Sequence, residues 1–321
     1  MTPPAALPGG SGPGSRLAAG GGAKGTVAAR GAPGSASPRR GDALGSALLH
    51  GVDFTSAPSS RKQIVVAVGR PCRGGVRLAR IERIADLAGF DAFLARPGPW
   101  LSVFDLPFGL PREFILAQGW PEDFARVAGI VAAMGRPALR ERFAAYCNAR
   151  PAGRKFAHRA TDGPAGSSPS MKWVNPPVAW MYETAVPRLL AAGVDIPGLA
   201  HGDPSRVALE GYPGLLARSF GRLSYKSDER SRQVPAHEAV RCRLVDALRE
   251  GGLRLGVAVE MDDDQARAMV AEPSADALDA ALCLSAAGWA WQRRSTGFGL
   301  PAAIDPLEGW IVGAQPEPRG S

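Results

Sequence analysis

Three acidic residues stand where predicted strands end and where the last helix begins. Asp53 closes the apolar run LLHGVDF, Asp105 closes a strand-like run over residues 100–105, and Asp279 lies in the final helix. Because adjacent strands put their ends side by side, we expect these carboxylates to converge. Mg²⁺ and Mn²⁺ prefer carboxylate and water oxygens, and two such ions about 4 Å apart can activate water and neutralise charge in phosphodiester cleavage. The pattern therefore predicts a divalent-metal site for phosphodiester chemistry.

Two further acids extend the predicted site, Asp276 as a metal ligand and Glu210 as a catalytic residue or substrate contact at a strand end. The acids also have purely structural interpretations. Asp53 and Asp105 occupy positions where an aspartate often forms or starts a turn. For Glu210 the structural interpretation is a plain edge residue. Asp276 would favour the dipole of the helix at its first turn, whereas Asp279 lies one turn further in and lacks that explanation.

Three cations are predicted to contact the phosphates of a substrate: Lys226, Arg159 and Lys172. A cation near a carboxylate and metal site can hold a phosphate oxygen, and Trp173 beside Lys172 could stack on a base. The alternatives are an exposed loop lysine at 226 and an ordered structural insertion around residues 158–175.

Two other groups are left outside the predicted site. His50 could shuttle protons, but a single histidine in an apolar strand is more often a packed residue. The acidic string that includes Glu260 and Asp262 is contiguous, and contiguous acids usually form a solvated helix start rather than a convergent site.

The elements that must position these side chains give an α/β pattern. Strands are predicted over residues 48–54, 63–68, about 76–79, 100–105 and 206–210, and helices over about 84–96, 112–150, 178–192, 236–250 and after Pro273, with Ser274 as the N-cap. Three strands joined by tight turns precede a helix and a fourth strand, which favours an antiparallel meander extended by a parallel strand. We therefore expect a mixed five-stranded sheet flanked by helices.

Composition divides the chain into a Gly/Pro/Ala-rich tail at 1–47, expected to be disordered, a domain at 48–313 and a C-terminal tail at 314–321. Within the domain, residues 136–177 form a basic helical and loop insertion, whose Gly/Pro/Ser-rich part could be a mobile lid. The net charge of +8 is concentrated in residues 1–47, at +4, and residues 136–172, at +6, so the remainder is slightly acidic. This distribution suits an acidic centre beside a basic flank that binds nucleic acid, DNA or RNA, although a solvated basic surface would look the same.

The class of protein is limited by what the sequence lacks. Four cysteines lie far apart, without the paired spacing of zinc or redox sites. No apolar run is long enough to span a bilayer, and no secretory signal is visible, so we expect a cytoplasmic protein with no membrane attachment. The oligomeric state is left open.

Five segments together resemble the motif series of the family called domain of unknown function 429, predicted RNase H-like nucleases. They are GVDFTSAPS at 51–59, SVFDLPFGLP at 102–111, ALEGYPG at 208–214, SYKSDER at 224–230 and DALDAALCL at 276–284. The resemblance covers about residues 48–313, and the last segment is also similar to the final helix of bacterial Holliday-junction resolvases. It implies an RNase H-like fold and a metal-dependent nuclease.

Two other classes of function stay open. A non-catalytic nucleic-acid-binding or regulatory module could retain the same fold. A sugar kinase or ATPase of the actin-like fold is suggested by Asp53-Phe54-Thr55-Ser56, which resembles a phosphate loop after a first strand. That class also needs a second glycine-rich loop and a duplicated domain, and the sequence shows neither.

Overall fold

A mixed β-sheet of seven strands forms the centre of the part of the chain that the computed structural model describes, residues 47–316 apart from positions 222 and 228. Its strands are β1 (Leu48–Asp53), β2 (Ile64–Cys72), β3 (Gly75–Ile84), β4 (Trp100–Asp105), β5 (Val194–Asp195), β6 (Asp203–Gly211) and β7 (Ala258–Glu260). Their order across the sheet is β5-β6-β4-β1-β2-β3-β7. The predicted tail at 1–47 lies outside the described residues except for Ala47, as does 317–321 of the predicted C-terminal tail.

Strand directions follow the predicted pattern. β1, β2 and β3 are antiparallel neighbours, whereas β4 runs parallel to β1 and β6 runs parallel to β4. The predicted number of five strands is wrong, because β5 and β7 add a parallel strand at each edge. These two strands have two and three residues, which is too short to produce a recognisable alternation of apolar and polar positions.

Helices cover both faces of this sheet. They are α1 (Leu87–Leu94), α2 (Arg112–Ala117), α3 (Phe124–Asn148), α4 (Asp162–Ala165), α5 (Val178–Ala191), α6 (Pro213–Ala217), α7 (Pro235–Glu250), α8 (Asp263–Ala271) and α9 (Asp276–Gln292). The helical region predicted over 112–150 is divided, since α3 starts anew where the side chain of Asp123 accepts a hydrogen bond from Arg126 N. α3 also bends at Gly135, whose φ of 71° interrupts the helix.

Alternation along the strands separates two apolar cores. Leu49, Leu101 and Val103 belong to the core shared with α7, α8 and α9. Val52 and Phe104 point the other way, into the core shared with α1, α3 and α5. Since side chains alternate between faces with a period of two, Asp53 and Asp105 extend from their strands on the α9 side.

Helix α9 lies directly on the backbone of β1 and is buried from Asp276 to Trp291. At Gly51 a Cβ atom would come within 2.0 Å of Ala280 O and 2.1 Å of Leu284 N. Only glycine fits there, because any side chain would push the helix off the strand. This contact brings the first turns of α9 beside the end of β1.

The start of α9 differs from the prediction. Ser274 is not the N-cap; the residue before the helix is Ala275, in the left-handed conformation with φ of 58°. The backbone amide of Ala277, in the first turn of α9, donates instead to Glu272 Oε2 at 2.7 Å. A carboxylate from the preceding turn therefore replaces the serine hydroxyl in satisfying the helix end.

The predicted insertion at 136–177 is packed against the domain. Ala157 and Met171 are buried in the core on the α3 and α5 side. Trp173 stacks on Phe143, with ring centroids 6.1 Å apart and planes 11° apart. The aromatic ring that could have stacked on a base is thus used inside the protein, as the structural alternative expects.

Among the described residues, no helix has both the length and the apolar character that crossing a bilayer would require.

Candidate metal centre

Three carboxylates converge at the end of the central strands. Asp53 and Asp105 are register partners at the ends of the parallel strands β1 and β4. Asp279 reaches them from the first turns of α9, and one oxygen from each of the three lies within 4.8 Å of the others. The convergence predicted for these three residues is therefore present.

Two of these carboxylates have no hydrogen-bond donor among the described residues. Asp53 is 8% exposed and Asp105 half-buried, and no donor among the described residues bonds to either side chain. Removing a carboxylate from water without a hydrogen bond or a counter-charge is expensive, and native proteins rarely leave such groups unsatisfied. The arrangement therefore has the charge and the open acceptors that a bound cation would satisfy.

The pKa values reflect this crowding. Burial, and then the charge of Asp279, raise the pKa of Asp53 well above its ordinary value. The same two causes raise the pKa of Asp105 to about 7, although Lys226 opposes them. Anions held close together in a poorly hydrated site favour their protonated forms until a cation compensates the charge.

Asp279 differs from its neighbours because it is hydrogen-bonded. It is fully buried, its Oδ1 accepts from Tyr225 Oη at 2.6 Å, and its Oδ2 pairs with the ammonium of Lys226. Burial lowers the pKa of Lys226, but Asp279, Tyr225 and Asp53 outweigh it and raise the pKa well above the ordinary value. Lys226 thus remains a cation over the carboxylates, with 43% of its side chain exposed.

Asp276 was predicted as a fourth metal ligand but is not part of the three-carboxylate cluster. Its Oδ1 accepts from Lys62 Nζ at 2.7 Å, so it has a cation of its own. Lys62 was not identified from the sequence, where nothing distinguishes it from an ordinary loop lysine. Tyr225 was also missed, although it immediately precedes Lys226 in the segment SYKSDER.

Glu210 was predicted as a catalytic residue; its side chain leaves β6 on the opposite face of the sheet from Asp53 and Asp105, although it lines the same cleft as they do. Val207 and Leu209 contribute to the α9-side core, and Ala208 to the other core, so Glu210 follows Ala208. Both of its oxygens accept from Arg159, at 2.7 and 2.8 Å, and Phe108 N adds a third bond at 3.0 Å.

Arg159 was predicted to bind substrate phosphate; it lines the cleft beside the carboxylates, but its hydrogen bonds are made within the protein. Its guanidinium is 1% exposed and donates to Glu210, to Asp162 and to the carbonyl of Glu308. The five contacts use all five N–H groups of the side chain, so none is left for a phosphate. The pKa of Arg159 is lowered by burial but raised more by Glu210 and Asp162, and the result lies above the ordinary value.

Lys172, the third predicted substrate contact, is not brought to the carboxylates. Its ammonium donates to the carbonyl of Asn175 within its own loop. It is also absent from the residues that line the cleft beside the carboxylates.

The structural alternatives hold for the two groups left outside the site. His50 is buried, with its Nδ1 2.8 Å from Ser102 Oγ, and burial with the nearby Arg96 lowers its pKa to about 3. It is therefore a neutral packed residue. Asp262 caps α8 through a hydrogen bond from Gln265 N, which is the solvated helix start expected of the acidic string.

A cleft of about 780 Å³ opens beside the carboxylates. Asp53, Asp105, Lys62 and Lys226 line one part of it, and Tyr212, Met181 and Pro177 contribute apolar surface. Its volume falls within the range of about 300 to 1,000 Å³ that is usual for ligand sites. The cleft therefore offers space for a substrate at the point where the carboxylates converge.

Comparison with known proteins gives one match. The family model described as "Protein of unknown function (DUF429)" matches residues 51–301, most of the chain and all of the converging acids. No curated protein and no solved structure matches. The chain thus belongs to the DUF429 family.

Proposed function

We propose that this protein is a divalent-metal-dependent nuclease that hydrolyses phosphodiester bonds. The observation that carries the proposal is the pair of carboxylates at Asp53, which is buried, and Asp105, which is half-buried: they accept no hydrogen bond within the described chain and converge with Asp279 beside a cleft. Such a group is satisfied by a cation from solution rather than by the protein.

We propose that the fold is RNase H-like, and the order and directions of the strands support this. Three antiparallel strands, β1 to β3, are continued by the parallel strands β4 and β6. The acids stand at the ends of the first and fourth strands and on the last long helix. This combination is the one that the resemblance of the motifs implies.

Mg²⁺ or Mn²⁺ fits the donor set, which consists of carboxylate oxygens without histidine or cysteine. Asp53, Asp105 and Asp279 would hold the ion. When bound, it would neutralise charge developing on the phosphate and make the attacking water more acidic.

The chain itself contributes orientation and positive charge. Tyr225 holds one oxygen of Asp279 at 2.6 Å and so fixes the direction of that carboxylate. The ammonium groups of Lys226 and Lys62 line the cleft and can meet the phosphates of DNA or RNA. A cytoplasmic location remains part of the proposal.

The other two functions have less support. A non-catalytic binding module would not need carboxylates without hydrogen-bond donors. Such groups lower the stability of the folded protein and are typical of sites that carry out a reaction. An actin-like kinase would need a duplicated domain, and the described residues form one sheet.

The proposal is tested by incubating the purified protein with single-stranded, duplex and branched DNA and RNA, with Mg²⁺, Mn²⁺ or a chelator. We expect cleavage only with metal. Asp53→Asn and Asp105→Asn should abolish it, whereas Asp246→Asn, an exposed acid on α7, should behave as wild type. Metal binding without any cleavage would favour the non-catalytic module, and absence of metal binding would exclude the site altogether.

A further inference from the structure

We infer that this site takes a single divalent ion and that the ammonium of Lys226 supplies the second positive charge that a two-metal nuclease obtains from a second ion. The inference rests on the proposed function for its chemical meaning. Its evidence is the number and the pairing of the acids at the end of the sheet.

The supply of carboxylates is the first step. Two ions about 4 Å apart share several carboxylates between them. Among the described residues three converge, and the two other acids predicted for the site are paired with cations of the chain. Asp276 is paired with Lys62 at 2.7 Å, and Glu210 is paired with Arg159 on the opposite face of the sheet.

The position of Lys226 is the second step. Its ammonium is hydrogen-bonded to Asp279 Oδ2, the carboxylate that converges with those of Asp53 and Asp105. A carboxylate oxygen has more than one lone pair, so Asp279 can keep this contact and still coordinate an ion. A second divalent ion next to the ammonium would be repelled at short range in a poorly hydrated site.

The exposure of Lys226 is the third step. With 43% of its side chain exposed, Lys226 borders the cleft while it contacts the carboxylates from that side. A compact ammonium there can meet a non-bridging oxygen of the substrate phosphate, on the side away from the ion. The ammonium would compensate the negative charge on the phosphate that a second ion compensates in a two-metal nuclease.

The test counts ions and does not depend on turnover. Mn²⁺ is titrated into wild type, Lys226→Gln and Lys226→Arg, with the heat of binding and the electron paramagnetic resonance signal of free Mn²⁺ as readouts. Lys155→Gln, an exposed lysine away from the cleft, is the matched control. Thermal melts of each variant establish that it is folded.

We expect wild type to bind one Mn²⁺ at this site. Lys226→Gln should bind the ion roughly tenfold more tightly or more, because a like charge beside it has been removed. Lys226→Arg and Lys155→Gln should match wild type. The same Lys226→Gln change should weaken binding of a nucleic acid in a salt-dependent way, so that the two affinities move in opposite directions.

Two ions in the wild-type site, or an unchanged Mn²⁺ affinity in folded Lys226→Gln, would overturn the inference and leave the nuclease proposal in place. One bound ion with the expected effect of Lys226→Gln, but no cleavage of any nucleic acid, would keep the inference about the ion and overturn the nuclease proposal. If Lys226→Gln does not fold, the wild-type stoichiometry and the Lys226→Arg titration still decide. Absence of Mn²⁺ binding in wild type would overturn both.

Discussion

Two groups of acids extend from opposite faces of the same sheet. They differ in whether the chain supplies them with hydrogen-bond donors. On the α9 side, Asp53 and Asp105 are without hydrogen-bond donors in the described chain. On the other side, Glu210 and Asp162 accept hydrogen bonds from four of the five side-chain N–H groups of Arg159 and from its backbone N–H. Both groups consist of acids that are largely removed from solvent, so neither the residue type nor the burial distinguishes them.

The difference is where the counter-charge comes from. In the Arg159 group the cation belongs to the chain itself. All of its side-chain N–H groups are used within the protein, so the group has a structural role. In the three-carboxylate cluster Lys226 is hydrogen-bonded to Asp279 only, so the oxygens of the other two members stay open to a cation from solution. A functional site is thus recognised by what its buried groups lack.

The largest effect should come from removing the internal cation. Arg159→Met keeps most of the aliphatic length but leaves Glu210 and Asp162 buried without the counter-charge of the guanidinium. We expect the free energy of unfolding to fall by about 3–5 kcal/mol in urea denaturation. Arg154→Met, an exposed arginine of the same segment, should stay within about 0.5 kcal/mol of wild type. A loss similar to the control would show that the Arg159 group is not structural.

Asp53→Asn should act in the opposite sense. Without metal, the variant should be at least as stable as wild type, because one of several repelling charges has been removed. The stabilisation of about 2.7 kcal/mol that an ion at 100 times its Kd gives should be lost, and cleavage should fall roughly 10²-fold or more. Thermal melts with and without Mn²⁺ check this. A variant destabilised without metal that still gains as much from Mn²⁺ as wild type would contradict the ligand assignment.

The pH dependence of stability should separate Asp105 from an ordinary carboxylate. Burial and Asp279 raise its pKa from 3.8 to about 7 in the folded protein. The folded chain therefore keeps a proton that the unfolded chain releases, so the contribution is fully present below pH 3.8 and is lost as pH rises through about 7. In chelator, the urea midpoint of wild type should fall over this window relative to that of Asp105→Asn. Parallel profiles for the two proteins would exclude the raised pKa.

Asp276→Asn should have the smallest effect. Its partner Lys62 has 39% of its side chain exposed, and such partly solvated pairs contribute about 1 kcal/mol or less. Stabilisation by Mn²⁺ should be retained, as measured in the same thermal melts. Its disappearance would show that Asp276 is a ligand after all and that the predicted set of four acids was right.

The converging triad could be predicted from the sequence because each member marks the end of a readable element. A strand that ends in an acid and a long apolar helix leave clear patterns. Glu210 carried a similar signal, yet its side chain lies on the other face. Which face a strand residue takes depends on the register with its neighbour, and a shift of one residue reverses it. The sequence of β6 by itself does not give that register.

The partners of charged residues were beyond prediction for a related reason. Arg159 meets Glu210 across 51 positions of sequence, and Lys226 meets Asp279 across 53. A surface lysine and a buried arginine look alike in a sequence until the fold assigns their neighbours. Local structure was missed where the signal was very short, as in β5 and β7, and where the carboxylate of Glu272 replaced the cap expected at Ser274.

The contact between Gly51 and α9 also affects which parts of the site can change in sequence among relatives. The separation of Asp53 and Asp279 is set where two backbones touch, with no side chain between them to change rotamer. The remaining walls of the cleft come from connecting segments around residues 54–62, 166–178 and 212–226. Substitutions in those segments can alter what enters the cleft while the carboxylates keep their places. Substrate preference can therefore drift among relatives independently of the chemistry.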